Sequence, residues 1–194
     1  KDSAFSWPAQ LRIAGALEDL KRVDEAAALL RDMAKQRTDD ATPLITLGDV
    51  LRGKKAWTEA IAAYDQAVAR IGTPGPHHWR LFNSRAIALE RAKLWPRAEA
   101  DFLKALEFEP DQPFVLNYLG YSWLEQGMHL ERALAMIQSA VRQQPKDGYI
   151  VDSLGWGYYQ IGDYENAVRE LERAVELKPE DPIINDHLGD AYWR

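Results

Sequence analysis

The sequence is poor in the residues that carry metal and thiol chemistry. It contains no cysteine and only four histidines among 194 residues, which excludes disulfides and thiolate metal sites. His77 and His78 are adjacent, whereas His129 and His187 are far from any other histidine. Because a zinc site needs three or four converging ligands, these histidines do not indicate one. We therefore expect no metal site and no cofactor.

Two further absences concern partners. The formal net charge is −6, and the basic stripe that phosphate binding requires is missing. We therefore expect no nucleic-acid partner. No stretch approaches the roughly 18–20 consecutive apolar residues of a membrane-spanning helix. Residues 1–194 are accordingly not expected to span a membrane.

Motifs of common enzymes are also missing. No serine lies in a G-x-S-x-G elbow between a strand and a helix, and no phosphate-binding G-x4-G-K-[ST] loop occurs. The many carboxylates, such as Glu172 and Glu176, follow the solvent face of a predicted helix. We expect no enzyme, and a pair of catalytic acids is the one enzymatic alternative that the sequence leaves open.

Residues 147–181 contain two helical patterns separated by a break. In each pattern, apolar or small residues recur at the three- and four-residue spacing of one helix face. They are Val151, Leu154, Gly155 and Tyr158 in the first pattern, and Ala167, Leu171, Ala174 and Leu177 in the second. Gly162-Asp163 separates the two patterns, and Pro179 ends the second because proline cannot continue a helix. These residues therefore predict a helix–turn–helix unit.

The same unit recurs along the chain in a nearly constant register. The equivalent small residues are Ala14, Gly48, Ala86, Gly120, Gly155 and Gly189. Their spacings are 34, 38, 34, 35 and 34 residues. The breaker-rich segment 72–76 explains the spacing of 38, and one extra residue in the turn 127–130 explains the spacing of 35. The chain is therefore predicted to be an array of helical repeats.

A helix–turn–helix of this period, with L-G-x2-Y, then A-x3-L-x2-A and then Pro, resembles the tetratricopeptide repeat (TPR). The resemblance implies an all-α, right-handed superhelix, or solenoid, with a concave side lined by the first helix of each repeat. It implies a single solenoid over residues 1–194. Its repeats are about 7–40, 41–78, 79–112, 113–146 and 147–181, with a half repeat at 182–194.

Glycine within the first helix of a repeat requires a physical reason, because it costs roughly 1 kcal/mol relative to alanine. We expect the reason to be close approach of the two helices of one repeat. The expected contacts are Gly48 with Ala60, Gly120 with Ala133, and Gly155 with Ala167.

A second stripe on the first helices of the last repeats is rich in aromatic and acidic residues that the core does not require. We predict that it binds a protein or peptide partner, since exposed aromatic side chains are typical of such surfaces. The predicted partner-binding residues are Phe114, Asn117, Tyr121, Tyr149, Asp152, Trp156, Tyr159, Asp190 and Trp193. The alternative is that some of them fill contacts between repeats.

The TPR resemblance also implies a function, since proteins of this family are scaffolds and adaptors. The segment from LNYLGYSWLEQG to the last residue is similar to the C-terminal region of long TPR proteins of Gram-negative bacteria. Relatives of that group include envelope lipoproteins that act as adaptors for a carboxyl-terminal-processing protease. This similarity implies a periplasmic or outer-membrane-anchored protein, with a cytoplasmic one as the alternative. The alternative function is a structural assembly module that self-associates through repeat edges.

The two ends of the sequence give a further expectation. The first residue is Lys rather than Met, and the sixth helical pattern continues to the last residues. We expect a piece of a longer protein whose sixth helix has no second helix to cover its apolar stripe, Ile184, Leu188 and Tyr192. Because solenoids need a polar cap at each end for solubility, self-association through residues 182–194 is predicted.

Overall fold

The computed structural model describes residues 6–194 and contains eleven α-helices. In chain order, α1 to α11 are Ser6–Asp19, Val23–Gln36, Thr42–Gly53, Trp57–Ile71, Trp79–Arg91, Trp95–Phe108, Pro113–Glu125, Leu130–Gln143, Gly148–Gln160, Tyr164–Leu177 and Pro182–Tyr192. A short 3-10 turn at Pro76–His78 precedes α5. Within the described range there is no strand. The predicted all-α class, with five helix pairs and one trailing helix, is confirmed.

The helices form two compact units, the first extending to Phe108 and the second from Glu109 to Arg194. The first contains α1–α6 and the second α7–α11. In both units the two helices of a pair pack together, and the second helix packs on the first helix of the next pair. Each pair thus completes its core with its neighbours, as expected for helical repeats. The single solenoid over residues 1–194 stays a prediction.

Local sequence signals explain where the helices of the second unit begin. The carboxylate of Asp147 accepts the backbone N–H of Tyr149 at 3.0 Å, and that of Asp181 accepts the N–H of Ile183 at 3.0 Å. Both aspartates are therefore N-caps, which satisfy backbone donors that the helix leaves unpaired. The inserted residue of the turn before α8 is accommodated because Gly127 and His129 both have positive φ angles, 66° and 47°.

The predicted close approach at the repeat glycines is confirmed, but its main partners are different. A Cβ atom on Gly155 would lie 2.5 Å from Cγ of Leu171. One on Gly48 would collide with the ring of Tyr64. The space left by each glycine is therefore filled by a large side chain that lies one turn after the predicted alanine on the second helix of the repeat. That side chain projects across the interface between the two helices. At Gly120 the nearest atoms belong to Ile137, at 2.8 Å, and to the carbonyl oxygen of Ala133, at 2.9 Å.

An ion-pair network, nearly buried at Arg85 and Asp101, connects three helices of the first unit. Arg85 on α5 donates to both carboxylate oxygens of Asp101 on α6, at 2.6 and 2.8 Å. Its remaining terminal nitrogen donates to Asp65 on α4 at 2.8 Å. Asp65 also accepts from Arg97 at 2.9 Å. The bidentate pairing of Arg85 with Asp101 is a strong form of the arginine–carboxylate interaction.

None of the helices between residues 6 and 194 is long and apolar enough to cross a membrane.

Candidate partner-binding surface

The predicted partner-binding residues lie on three first helices of the second unit. Helix α9 contacts both α7 and α11, so the three helices are neighbours. Phe114, Asn117 and Tyr121 are on α7; Tyr149, Asp152, Trp156 and Tyr159 are on α9; Asp190 is on α11, and Trp193 follows it. None of these three helices contains Lys or Arg. Their acidic side chains are Glu125, Asp152, Asp186 and Asp190.

Three of the predicted aromatic side chains are exposed to solvent. The exposed fractions are 51% for Phe114, 53% for Tyr149 and 89% for Trp193. Asp190 is also exposed, whereas Tyr121, Trp156 and Tyr159 are half-buried. Clusters of exposed apolar side chains, unlike single ones, often mark sites of interaction with other molecules. The distribution therefore fits a surface that another molecule covers.

Trp156 is held by contacts from all three helices. Its indole N–H donates to Glu125 of α7 at 2.7 Å. Its ring is stacked on Tyr159 of its own helix, with centroids 4.7 Å apart and planes 11° apart. It is also stacked on His187 of α11, with centroids 4.1 Å apart and planes 15° apart. The indole is therefore a fixed part of the surface.

Asp152 lies beneath this stack, where its carboxylate meets His187. The exposed fractions of the two residues are 6% and 9%. Nδ1 of His187 is 2.9 and 3.1 Å from the two oxygens of Asp152. Because an ionised carboxylate can only accept, the imidazole N–H is the donor. The structure thus places Asp152 under the aromatic rings, although the sequence indicated only that it shared their stripe.

His187 is also part of this surface, although the sequence pattern did not indicate it. The available signal was its separation from Asp152, which is 35 residues. That is about one repeat, so the two residues occupy neighbouring first helices at adjacent positions. A pattern within one helix could not show this, because the pair forms only when two helices pack.

Two cations from outside the three helices contact tyrosines of this surface. The ammonium group of Lys178 lies 4.8 Å from the ring centroid of Tyr149. Nε of Arg194 donates to the hydroxyl oxygen of Tyr159 at 3.3 Å. The Lys178 contact is a cation–π contact, as expected from the negative potential of an aromatic face, whereas the Arg194 contact is a hydrogen bond to the phenol oxygen.

Asn117 carries an unusual polar atom on α7. Its side-chain oxygen is buried and has no hydrogen-bond partner among the described residues. Such an atom is costly to leave unpaired. Because this oxygen is buried, it gives no support for contact with a partner, and the role of Asn117 in partner binding stays a prediction.

A cavity of about 620 Å³ lies elsewhere, between α2, α3 and α4 of the first unit. Its floor includes Leu44, Leu47 and Leu51, and an ion pair of 3.0 Å between Arg31 and Glu59 crosses its rim. None of the predicted partner-binding residues lines this cavity. Over residues 6–194, no cluster of His, Asp and Glu side chains is arranged to hold a metal ion.

Comparison with known proteins defines the class. A TPR repeat model matches residues 157–194, and a tetratricopeptide repeat model matches residues 45–113. The chain is thus a tetratricopeptide repeat protein. A TPR repeat-containing protein of Pseudomonas aeruginosa is 30% identical over 169 residues, which cover 84% of this chain. The chain spans 27% of the length of that curated relative.

Solved structures show the same fold at lower sequence identity. YrrB, described as a TPR protein with an unusual peptide-binding site, has a TM-score of 0.71 and 20% identity, covering 93% of this chain and 90% of its own. A tetratricopeptide repeat protein of Parabacteroides merdae has a TM-score of 0.79 and 16% identity, covering 98% and 73%. TTC0263, a thermophilic TPR protein of Thermus thermophilus, has a TM-score of 0.67 and 20% identity, covering 96% and 99%.

Proposed function

We propose that this chain is an interaction module that binds a segment of another protein on the first helices of its second unit. TPR proteins generally mediate protein–protein interactions, which gives the class of function. The binding site is the aromatic surface, which we define as Phe114, Tyr121, Tyr149, Trp156, Tyr159 and Trp193. The observation that carries the proposal is the concentration of exposed and stacked aromatic rings on three neighbouring helices that contain no Lys or Arg.

The chemistry of the surface specifies the kind of segment that it binds. Aromatic rings supply apolar contact area and are frequent at the energetic centres of interfaces. The exposed carboxylates of Glu125, Asp186 and Asp190 favour a partner with basic groups. Such charge complementarity chiefly increases the association rate and sets the orientation of the partner. The ammonium group of Lys178, which lies over the ring of Tyr149, supports the same preference. The partner segment therefore combines apolar anchors with Lys or Arg.

The finer proposal concerns the partner itself. The C-terminal half is similar to long Gram-negative TPR proteins whose relatives include adaptor lipoproteins of carboxyl-terminal-processing proteases. We therefore propose a periplasmic or outer-membrane-anchored adaptor that binds such a protease or its substrate. The peptide-binding site named for YrrB supports peptide capture by analogy of fold. Co-purification with the full-length protein is the experiment that identifies the partner.

The test removes single aromatic side chains from the surface. Calorimetry is carried out with the co-purified partner and the variants Trp156→Ala and Tyr121→Ala. Loss of one central aromatic group typically costs about 2 kcal/mol, or about thirtyfold in affinity. Trp79→Ala on α5, a half-buried tryptophan of the first unit, is the control and should bind normally. If both test variants remain folded and bind as tightly as the parent, the aromatic surface is not the site.

A second candidate function is assembly through α11. Ile183, Tyr192 and Trp193 are exposed at this end of the second unit. Apolar groups of this size favour association with another copy of the chain. Sedimentation velocity tests this self-association with variants of these exposed side chains.

A further inference from the structure

We infer that Asp152 and His187 position the indole of Trp156 and make no direct contact with the partner. The inference rests on the proposed function of the aromatic surface, and it changes the role of Asp152. The sequence suggests a partner-binding carboxylate, whereas the structure points to a buried support for the surface.

The solvent accessibility of Asp152 distinguishes direct contact with the partner from a supporting role. Asp152 is 6% exposed and His187 is 9% exposed, and each is bonded to the other. A partner lying on the surface could reach the carboxylate only by displacing the imidazole. Such a displacement would leave a buried charged group without its hydrogen bond, which is costly. Glu125 and Asp190, by contrast, are exposed and accessible to a basic partner.

The geometry shows how the pair acts on Trp156. Nδ1 of His187 is within hydrogen-bond distance of both oxygens of Asp152, which fixes the rotation of the imidazole ring. That ring lies nearly parallel to the indole, 4.1 Å away between centroids. Glu125 holds the indole N–H from α7. The position of Trp156 is therefore set by α7 and α11 together.

A fixed indole favours binding for an entropic reason. An anchor that is already in its bound conformation loses little rotamer freedom when the partner arrives. Supporting hydrogen bonds beneath a binding residue serve this purpose in well-organised sites. Loosening the support should therefore weaken binding even though no contact with the partner is removed.

The first measurement uses the free protein and needs no partner. The indole N–H resonance of Trp156 is identified in 15N spectra by its loss in Trp156→Phe. In His187→Asn, the amide nitrogen occupies the place of Nδ1 and keeps the bond to Asp152, but the stacked ring is lost. His187→Phe keeps a ring but has no donor for Asp152. Both variants should shift the Trp156 resonance, and both should weaken affinity for the co-purified partner by about three- to tenfold.

The matched control is Asp186→Asn, which changes an exposed carboxylate on the same helix as His187. It should leave the Trp156 resonance unchanged. Should the His187 variants fail to fold, Asp152→Asn is measured in the same way, since it keeps an acceptor for the imidazole while removing the charge.

The outcomes separate this inference from the proposed function. If the Trp156 resonance is unchanged in the folded variants, the positioning role is overturned. It is also overturned if Trp156→Ala weakens binding while neither His187 variant does. If even Trp156→Ala binds normally, the aromatic surface is not the binding site, whatever the Trp156 resonance shows.

Discussion

At the scale of single residues, glycine determines how closely the two helices of a repeat approach. Gly155 has the side chain and backbone nitrogen of Leu171 within 3.1 Å of the place where a Cβ would lie. Gly189 occupies the equivalent position on α11, yet nothing lies within 4 Å of its own Cβ position. The same residue type in the same register is therefore required at one site and dispensable at the other.

Gly155→Leu should lower the free energy of unfolding by roughly 1–3 kcal/mol or more, because a larger side chain cannot relax between two closely packed helices. Gly189→Leu is the matched control and should not be destabilising, since there is open space for the new side chain. Urea denaturation of both variants provides the measurement. Equal stability of Gly155→Leu and the parent would refute the role of close approach.

Tyr64 is a second residue whose burial has a measurable consequence. Its ring is fully buried, and its hydroxyl donates to Asp49 at 2.7 Å. Burial, and then the nearby charge of Asp49, raise the pKa of the phenol above its usual range. The folded state therefore keeps the proton more tightly than the unfolded state. The stability that this provides is complete below about pH 10 and is lost as the pH rises further.

Tyr64→Phe should consequently show a smaller loss of stability at alkaline pH than the parent. At neutral pH it should be less stable by about 1 kcal/mol, because the hydrogen bond to Asp49 is absent. Thermal unfolding followed between about pH 8 and pH 11 tests both statements. Parallel curves for parent and variant would contradict the raised pKa.

At the scale of helices, the packing of one repeat on the next depends on polar as well as apolar contacts. The guanidinium of Arg85 joins α5 to α4 and α6 through Asp65 and Asp101. Both Arg85 and Asp101 are nearly buried. Such a pair stabilises little relative to an apolar replacement, but removal of one partner leaves the other charge uncompensated.

Arg85→Ala should therefore destabilise the first unit by about 3 kcal/mol or more. Arg22→Ala is the comparison, since it removes an ion pair with Glu25 in which both side chains are exposed. Exposed pairs contribute little, so this variant should unfold close to the parent. If the two variants have the same midpoint in urea, the network at Arg85 has no special structural role.

At the scale of the whole molecule, the sequence was sufficient for the repeat architecture but only partly for the candidate site. The 34-residue period determines which positions pack within each repeat, so the helix pairs and the break between α9 and α10 at Gly162-Asp163 could be predicted. The partner of Gly155 and the burial of Asp152 could not. Both depend on the direction of a side chain on a neighbouring helix, which the periodicity of one helix does not specify.

The last prediction concerns association of the chain with itself. The predicted apolar stripe of α11 is only partly uncovered, since Ile184 is buried whereas Tyr192 is exposed. Ile183 on α11 and Trp193 just after it are also exposed. Large exposed apolar groups favour association with another molecule. Sedimentation velocity should show a weight-average mass that increases with concentration. The double variant Ile183→Ser with Trp193→Ser should reduce that increase.

Leu20→Ser is the matched control, because Leu20 is equally exposed but lies in the first unit, beside the end of α1. It should leave the association unchanged, since the predicted contact involves residues 182–194 alone. Equal reduction by both variants would indicate a general effect of surface hydrophobicity. A monomer at every concentration would show that the exposed side chains of α11 do not drive association, and the assembly alternative would then lose its support.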